Sequence, residues 1–429
     1  MQSKFLPVLA GAALSLTGVS AATAQTTAST DEVRAVVAEM LADAETRSSL
    51  LAGGDAGHDG RFFIAGDGFR LNVGGLLQFR YVLNYRDDSD IAPGSKNDDF
   101  THGFQQARTL IDFNGELNKD WFFRVRLGRT AASDSSVDFD YAYAGYKFAN
   151  GWKATWGQFK LPMLREELIA DSKQLAVERS YTNAVFSQGY SEGIELAYEA
   201  EQWRAFFAFS DGLNSANTDF DARENTSFFR TGGQAEYAVT GRGEFLLSGN
   251  WRQMEEFTSP KGSDFGFLLG AAAHWQQSDN TPNPADIDRD TFQFTVDASL
   301  KGDSWNLFGA FIGRYQDNTN FGTGQDLWDF GAVVQAGWRF AENTELFGRY
   351  DGIFADNDRS LTEDNYNFLT VGLNQYYAGH AAKATLDVVY AFEATQGLSA
   401  FGSPDTLSGL LGSTDDGELA VRLQFQLVF

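Results

Sequence analysis

The chain has 429 residues, 58 of them acidic and 33 basic, giving a formal net charge of −25. Such an acidic excess argues against nucleic acid and anionic lipid headgroups as partners, because both would be repelled. The absence of cysteine excludes disulfides, thiol catalysis and thiolate metal sites, so an exported fold of this length must hold itself together by hydrogen-bond closure and packing.

At the N-terminus, Lys4 precedes an uncharged apolar stretch from Phe5 to Val19 and small residues ending in Ala22-Thr23-Ala24. This order predicts a secretory signal peptide over residues 1–24, cleaved after Ala24. Its roughly 15 apolar residues fall short of the ~20 that a membrane helix requires. Residues 25–57 are expected to form a periplasmic amphipathic or coiled-coil helix and a linker. Val33, Val36, Val37, Met40, Leu41, Ala44 and Leu51 recur at three- and four-residue spacing behind Thr30 and Asp31 as N-cap candidates, and Gly53 to Gly60 supplies a flexible link.

From residue 58 onward the period becomes two, and residues 58–429 are expected to form one all-β transmembrane antiparallel barrel. Leu71, Val73, Leu77, Phe79, Tyr81 and Leu83 alternate with Arg70, Asn72, Gln78 and Arg80. The same pattern runs through Phe123 to Leu127 and Val334 to Phe340. It is cleanest at the C-terminus, where Leu419, Val421, Leu423, Phe425, Leu427 and Phe429 form one wholly apolar face. No uncharged run after the signal is long enough for a membrane helix, so a membrane would be crossed with strands.

A secreted soluble sandwich would alternate in the same way. The lengths of the connections separate the two readings. Tight links at Asn118-Lys119-Asp120, Asn150-Gly151, Lys301-Gly302-Asp303 and Glu342-Asn343 trade off with long polar ones at 86–101, 210–226, 317–326 and 394–416, the short-turn and long-loop asymmetry of an outer-membrane barrel. A direct count gives seventeen strands, which is incompatible with both chain ends lying on the periplasmic side. The conflict falls at Gly243 to Lys261, where Gln253, Met254, Glu255 and Glu256 break the alternation. Reading that stretch as a periplasmic excursion leaves sixteen strands, with the last pairing to the first and Phe429 acting as the assembly signal.

The run from Phe104 to Tyr198 carries RTLIDFNG at 108–115, FDYAY at 139–143, GQFKLP at 157–162 and Glu178-Arg179-Ser180. In that order and spacing these segments resemble the phosphate-selective porin O and P family, and the closing strand extends the resemblance to roughly 85% of the chain. The resemblance implies a trimeric sixteen-stranded channel of the Gram-negative outer membrane. Its third extracellular loop, here Lys160 to Tyr190, would fold into the lumen.

Read from its residues alone, that loop is electrically balanced: Lys160, Arg165, Lys173 and Arg179 face Glu166, Glu167, Asp171 and Glu178. The expected pore-lining set is Lys160, Arg165, Lys173, Arg179, Arg124, Arg126, Arg108, Arg70 and Arg80, with Arg339 and Arg422 also facing inward. In a narrow, low-dielectric lumen such a row would pass oxyanions by repeated hydrogen bonding. The same arginines would merely stiffen the wall if they paired with lumen carboxylates such as Asp112 and Glu116.

The acidic groups Asp87, Asp88, Asp90, Asp98 and Asp99, and Asp356, Asp358, Glu363 and Asp364, lack regular ligand spacing, so solvated loops are expected rather than a metal site. His58, His102, His274 and His380 fall in no nucleophile or metal motif, and no cofactor is expected. The function that follows is passive diffusion of small hydrophilic solutes, with anions preferred. The expected partners are outer-membrane lipid, ions and solutes, two further copies of the chain and the outer-membrane assembly machinery. A general or cation-preferring porin, an outer-membrane hydrolase and an anchoring protein using the N-terminal helix stay open as alternatives.

Overall fold

The computed structural model describes residues 54–86, 99–130, 136–217, 235–278, 290–317, 326–359, 361, 363–401 and 407–429. The signal segment, the helix expected over residues 30–51, and Asp87, Asp88, Asp90 and Asp98 lie outside them.

Alternating sequence becomes sheet throughout. Two short strands, β1 (Gly54–His58) and β2 (Phe62–Gly66), precede β3 (Phe69–Tyr85), so part of the glycine-rich link is strand. There follow β4 (Phe100–Leu117), β5 (Trp121–Thr130), β6 (Asp138–Lys147), β7 (Trp152–Lys160), β8 (Tyr190–Glu199), β9 (Trp203–Ser210) and β10 (Ala235–Ser248). The second half contains β11 (Gly266–Ser278), β12 (Thr291–Gly302), β13 (Trp305–Gln316), β14 (Leu327–Ala341), β15 (Thr344–Phe354), β16 (Asn365–Tyr376), β17 (Ala382–Ala391) and β18 (Leu419–Val428). Each of β3–β18 pairs antiparallel with its sequence neighbour. β18 then pairs antiparallel with β3, from Leu419 against Tyr85 to Val428 against Leu76, which closes a sixteen-stranded barrel.

The turns follow from their residues. Asn118 and Lys119 have φ of 52° and 68°, and Asn150 and Gly151 of 65° and 85°, left-handed conformations that let a short connection reverse the chain and that asparagine and glycine supply most easily.

Burial is inverted relative to a soluble sandwich. On β18 the apolar Leu423, Phe425 and Leu427 are 38%, 54% and 48% exposed, whereas Arg422, Gln424 and Gln426 are buried. An outward apolar band and an inward polar face require lipid outside, because water there would make that band unfavourable. Trp121, Trp152, Trp203, Trp305 and Trp338 stand exposed near the short-turn end, and Tyr85, Phe100, Phe139 and Trp328 near the other, as two interfacial girdles.

The excursion is real but its bounds shift. β10 continues to Ser248, so the irregular stretch is 249–265, with a single 3-10 turn at Arg252–Glu255. Gly243 to Ser248 still alternates. The break begins only where the chain leaves the wall.

Candidate functional site

Between β7 and β8 the chain turns into the barrel. Pro162 follows Lys160 at the mouth of this inserted loop, which carries helix α1 (Arg165–Leu168), a 3-10 turn at Asp171–Lys173 and helix α2 (Tyr181–Phe186). Helices this short have little stability of their own, and side chains hold them in place. Ser180 caps α2 by accepting from the Asn183 amide at 2.9 Å. Its own amide and hydroxyl donate to the Glu166 carboxylate at 2.8 and 2.6 Å.

Arg179 donates to Asp171 at 2.7 Å and to the Ile169 carbonyl at 2.8 Å, which closes the loop on itself. Glu178 points the other way, to the wall. It accepts two bonds from Arg108, at 2.7 and 2.8 Å, and one from Arg80 at 3.2 Å. Burial alone would raise the Glu178 carboxyl, yet the Arg108 and Arg80 guanidinium groups hold it down at about 2. The Glu-Arg-Ser run is thus one wall latch, one internal clasp and one helix cap.

One half of the lumen is filled. Toward the long-loop end Tyr181, Val185 and Phe186 of α2 pack with Ile312, Ile353, Tyr366 and Phe368 of the wall and with Leu398 and Phe401 of the 392–418 connection. Toward the short-turn end Ile169, Leu175 and Ala176 pack with Phe257, Phe308, Val333 and Phe347. Phe257 belongs to the 249–265 excursion, which therefore folds up into the barrel rather than hanging below it. Lys301 fixes it there by donating to the Gln253 and Thr258 carbonyls at 2.6 and 3.0 Å, and to that of Glu256. Both clusters draw their wall residues from β11–β17, so the open passage runs along the opposite wall.

Two adjoining spaces mark that passage. The first cavity, about 430 Å³, lies between the inserted loop and β5–β10; Arg124, Lys160, Arg165 and Lys173 all line it. Arg204, Trp251, Phe206, Tyr141 and Tyr143 line it too, together with Glu195, Glu244 and Glu255. The second space shares Arg124 and Tyr143 and adds Arg61, Arg70, Lys147, Lys153 and Glu116. Arg126, Arg108 and Arg179 converge instead on Asp171, at 3.4, 3.8 and 2.7 Å, and Arg126 is wedged against Tyr190 and Asp140. Arg80 lies behind Glu178 and also donates to the Leu407 carbonyl at 2.7 Å.

Pairing is extensive. Arg124 donates to Asp112 at 3.1 Å and stacks on the Tyr141 ring at 4.1 Å; Lys160 pairs with Glu167, Lys173 with Glu255 and Arg70 with Asp59. Glu116 takes Lys147 rather than an arginine. Arg422 pairs with Asp387, and Arg339 stacks on Tyr376. Lys147, Lys153, Arg204 and Trp251 were not among the expected lining residues. Inward-facing register could have indicated the first three, but nothing in a broken alternation shows that Trp251 returns to the lumen.

Among the described residues no group of three or more His, Asp or Glu is placed to hold a metal ion. His102 bonds Tyr81, His274 bonds Thr240 and His380 bonds Glu256.

Solved structures share this architecture at low identity. An anion-selective porin from Comamonas acidovorans superposes with a TM-score of 0.55 at 12% identity, covering 84% of this chain and all of its own. The trimer form of OmpT from Vibrio cholerae gives 0.54 at 13%, covering 85% and 100%, and Salmonella typhi OmpF with daunomycin 0.53 at 14%, also covering 85% and 100%. No curated protein sequence matches the chain. The family described as phosphate-selective porin O and P matches residues 79–391, from the first barrel strand to the end of β17, and the chain belongs to that family of outer-membrane porins.

Proposed function

We propose that this porin prefers anions and that the preference is set in the periplasmic half of its open passage. One observation carries this reading. The two adjoining spaces are lined by nine basic and four acidic side chains, in a chain whose total charge is −25. Fields from charges beyond about 8–10 Å are screened at physiological salt, so the lining rather than the sum decides what enters. The family description, phosphate-selective, agrees with that sign. Among the basic groups Arg124, Lys160, Arg165 and Lys173 act together across the cavity between the inserted loop and β5–β10.

The test is a planar-bilayer reversal potential under a potassium chloride gradient: the anion sign supports the reading. The cation sign overturns it and leaves a general or cation-preferring porin. Export by residues 1–24 and assembly as a homotrimer complete the proposal; the trimer form recorded for Vibrio cholerae OmpT is consistent with the latter.

A further inference from the structure

The cavity between the inserted loop and β5–β10 has a second character that small hydrated ions do not use. One wall presents Tyr143 from β6, Phe206 from β9 and Trp251 from the excursion, all partly exposed to the space. Across from them stands Leu168, the last residue of α1, 36% exposed although the loop carrying it lies inside the barrel. Large apolar side chains facing lumen water are unfavourable in proportion to the area they expose. An exposed apolar surface inside a channel marks a place where something apolar sits.

The cations are arranged around this slot. Arg124 stacks on Tyr141, and Arg204 stacks on the Trp251 ring at 4.0 Å. The Arg204 guanidinium also meets Glu199 at 3.2 Å, and its Nε is buried without a hydrogen-bond partner. Of the three carboxylates in the lining, Glu244 is held by Arg242 at 2.9 Å and Glu255 by Lys173 at 3.5 Å; Glu195 is the third. Apolar faces with guanidinium groups beside them fit a flat body carrying one negative group, and about 430 Å³ accommodates a single ring with its acid.

We propose that this cavity is a binding station for aryl carboxylates, and that the channel passes them by holding the ring between Phe206, Tyr143 and Leu168 and the carboxylate at Arg124 or Arg204. The inference rests on the anion preference above and narrows it to a solute class.

The test uses the full-length porin in planar bilayers, with benzoate, acetate and benzyl alcohol each added to a chloride background. Benzoate is expected to reduce the chloride current at concentrations about ten-fold or more below those of acetate, the difference expected from burying the apolar face of a ring. Benzyl alcohol is expected to have no comparable effect. In Leu168→Ser, at an exposed position, and in Phe206→Ala, the benzoate effect, taken relative to each variant's own chloride current, is expected to weaken about five-fold. Equal effects of benzoate and acetate, or of benzoate and benzyl alcohol, in a channel with an anion-signed reversal potential would overturn this inference and leave the anion preference standing. A cation-signed potential would overturn both.

Discussion

Arg108 on β4 and Glu178 in the inserted loop, seventy positions apart, meet inside the barrel through two parallel hydrogen bonds of 2.7 and 2.8 Å. Both side chains are nearly inaccessible, so the pair acts as the latch that holds the loop against the wall opposite its apolar anchorage. Substituting Glu178→Gln leaves Arg108 and Arg80 without their carboxylate. Breaking such a buried pair costs about 3–5 kcal/mol. The expected result is a loop that detaches and a single-channel conductance that rises and grows noisier. Unchanged conductance would show that α2 packing holds the loop alone.

The same latch predicts a pH limit. Glu178 is held down at about 2 in the folded channel, against about 4.3 for an unperturbed carboxyl. Because the folded value is the lower one, its contribution is fully present above the unfolded value and is lost as pH falls toward the folded one. Conductance at about pH 5 should equal that at neutrality, with the change appearing between about pH 4 and pH 2. Glu178→Gln should remove that transition.

Selectivity should follow the lining. Replacing Arg124 and Arg126 together by alanine should move the reversal potential toward zero, with Arg124 alone giving most of the change because it lines both spaces. An effect carried by Arg126 alone would place the deciding field at Asp171 instead.

Lys301→Met tests the excursion. The ammonium group donates to three carbonyls of the 253–258 segment, which no methionine can replace. The segment should leave the lumen, and a protease added from the periplasmic side should then cut between residues 250 and 260. Resistance to cleavage would assign the hold to Phe257 and to Thr258, which donates to Glu345 at 3.0 Å.

Closure rests on Phe429. Its carbonyl accepts from the Gly75 amide at 2.8 Å and its amide donates to the Gly75 carbonyl at 3.2 Å. A Cβ at Gly75 would stand 2.5 Å from the Phe429 ring, so only glycine leaves room for it. Deleting Phe429 or substituting Gly75→Val should sharply lower the yield of the SDS-resistant folded barrel in unheated gel samples. Removing residues 25–57 should leave barrel yield intact and shows separately whether that segment contributes to the trimer band.

Strand identity was legible in the chain because a period of two is a local property: Leu419, Val421, Leu423, Phe425 and Leu427 share one face without reference to any neighbour in space. Sixteen strands rather than seventeen required the rule that both chain ends lie on one side of the membrane, and the inward course of the loop was implied by the family resemblance. β7 ends at Lys160 and β8 begins at Tyr190; the bounds 160–190 came from the family resemblance, and what was legible in the residues was the lack of alternation between them. Pairing was not. Arginine alternating with apolar residues looks the same whether it meets a solute or a carboxylate, and only register brings Arg124 beside Asp112 or folds Glu178 back onto Arg108 and Arg80. The return of Phe257 and Trp251 to the lumen was equally hidden, because a broken pattern records that a segment leaves the sheet and not where it goes. Local periodicity determined the wall of this channel. Contacts between residues distant in sequence decided which part of its interior stays open.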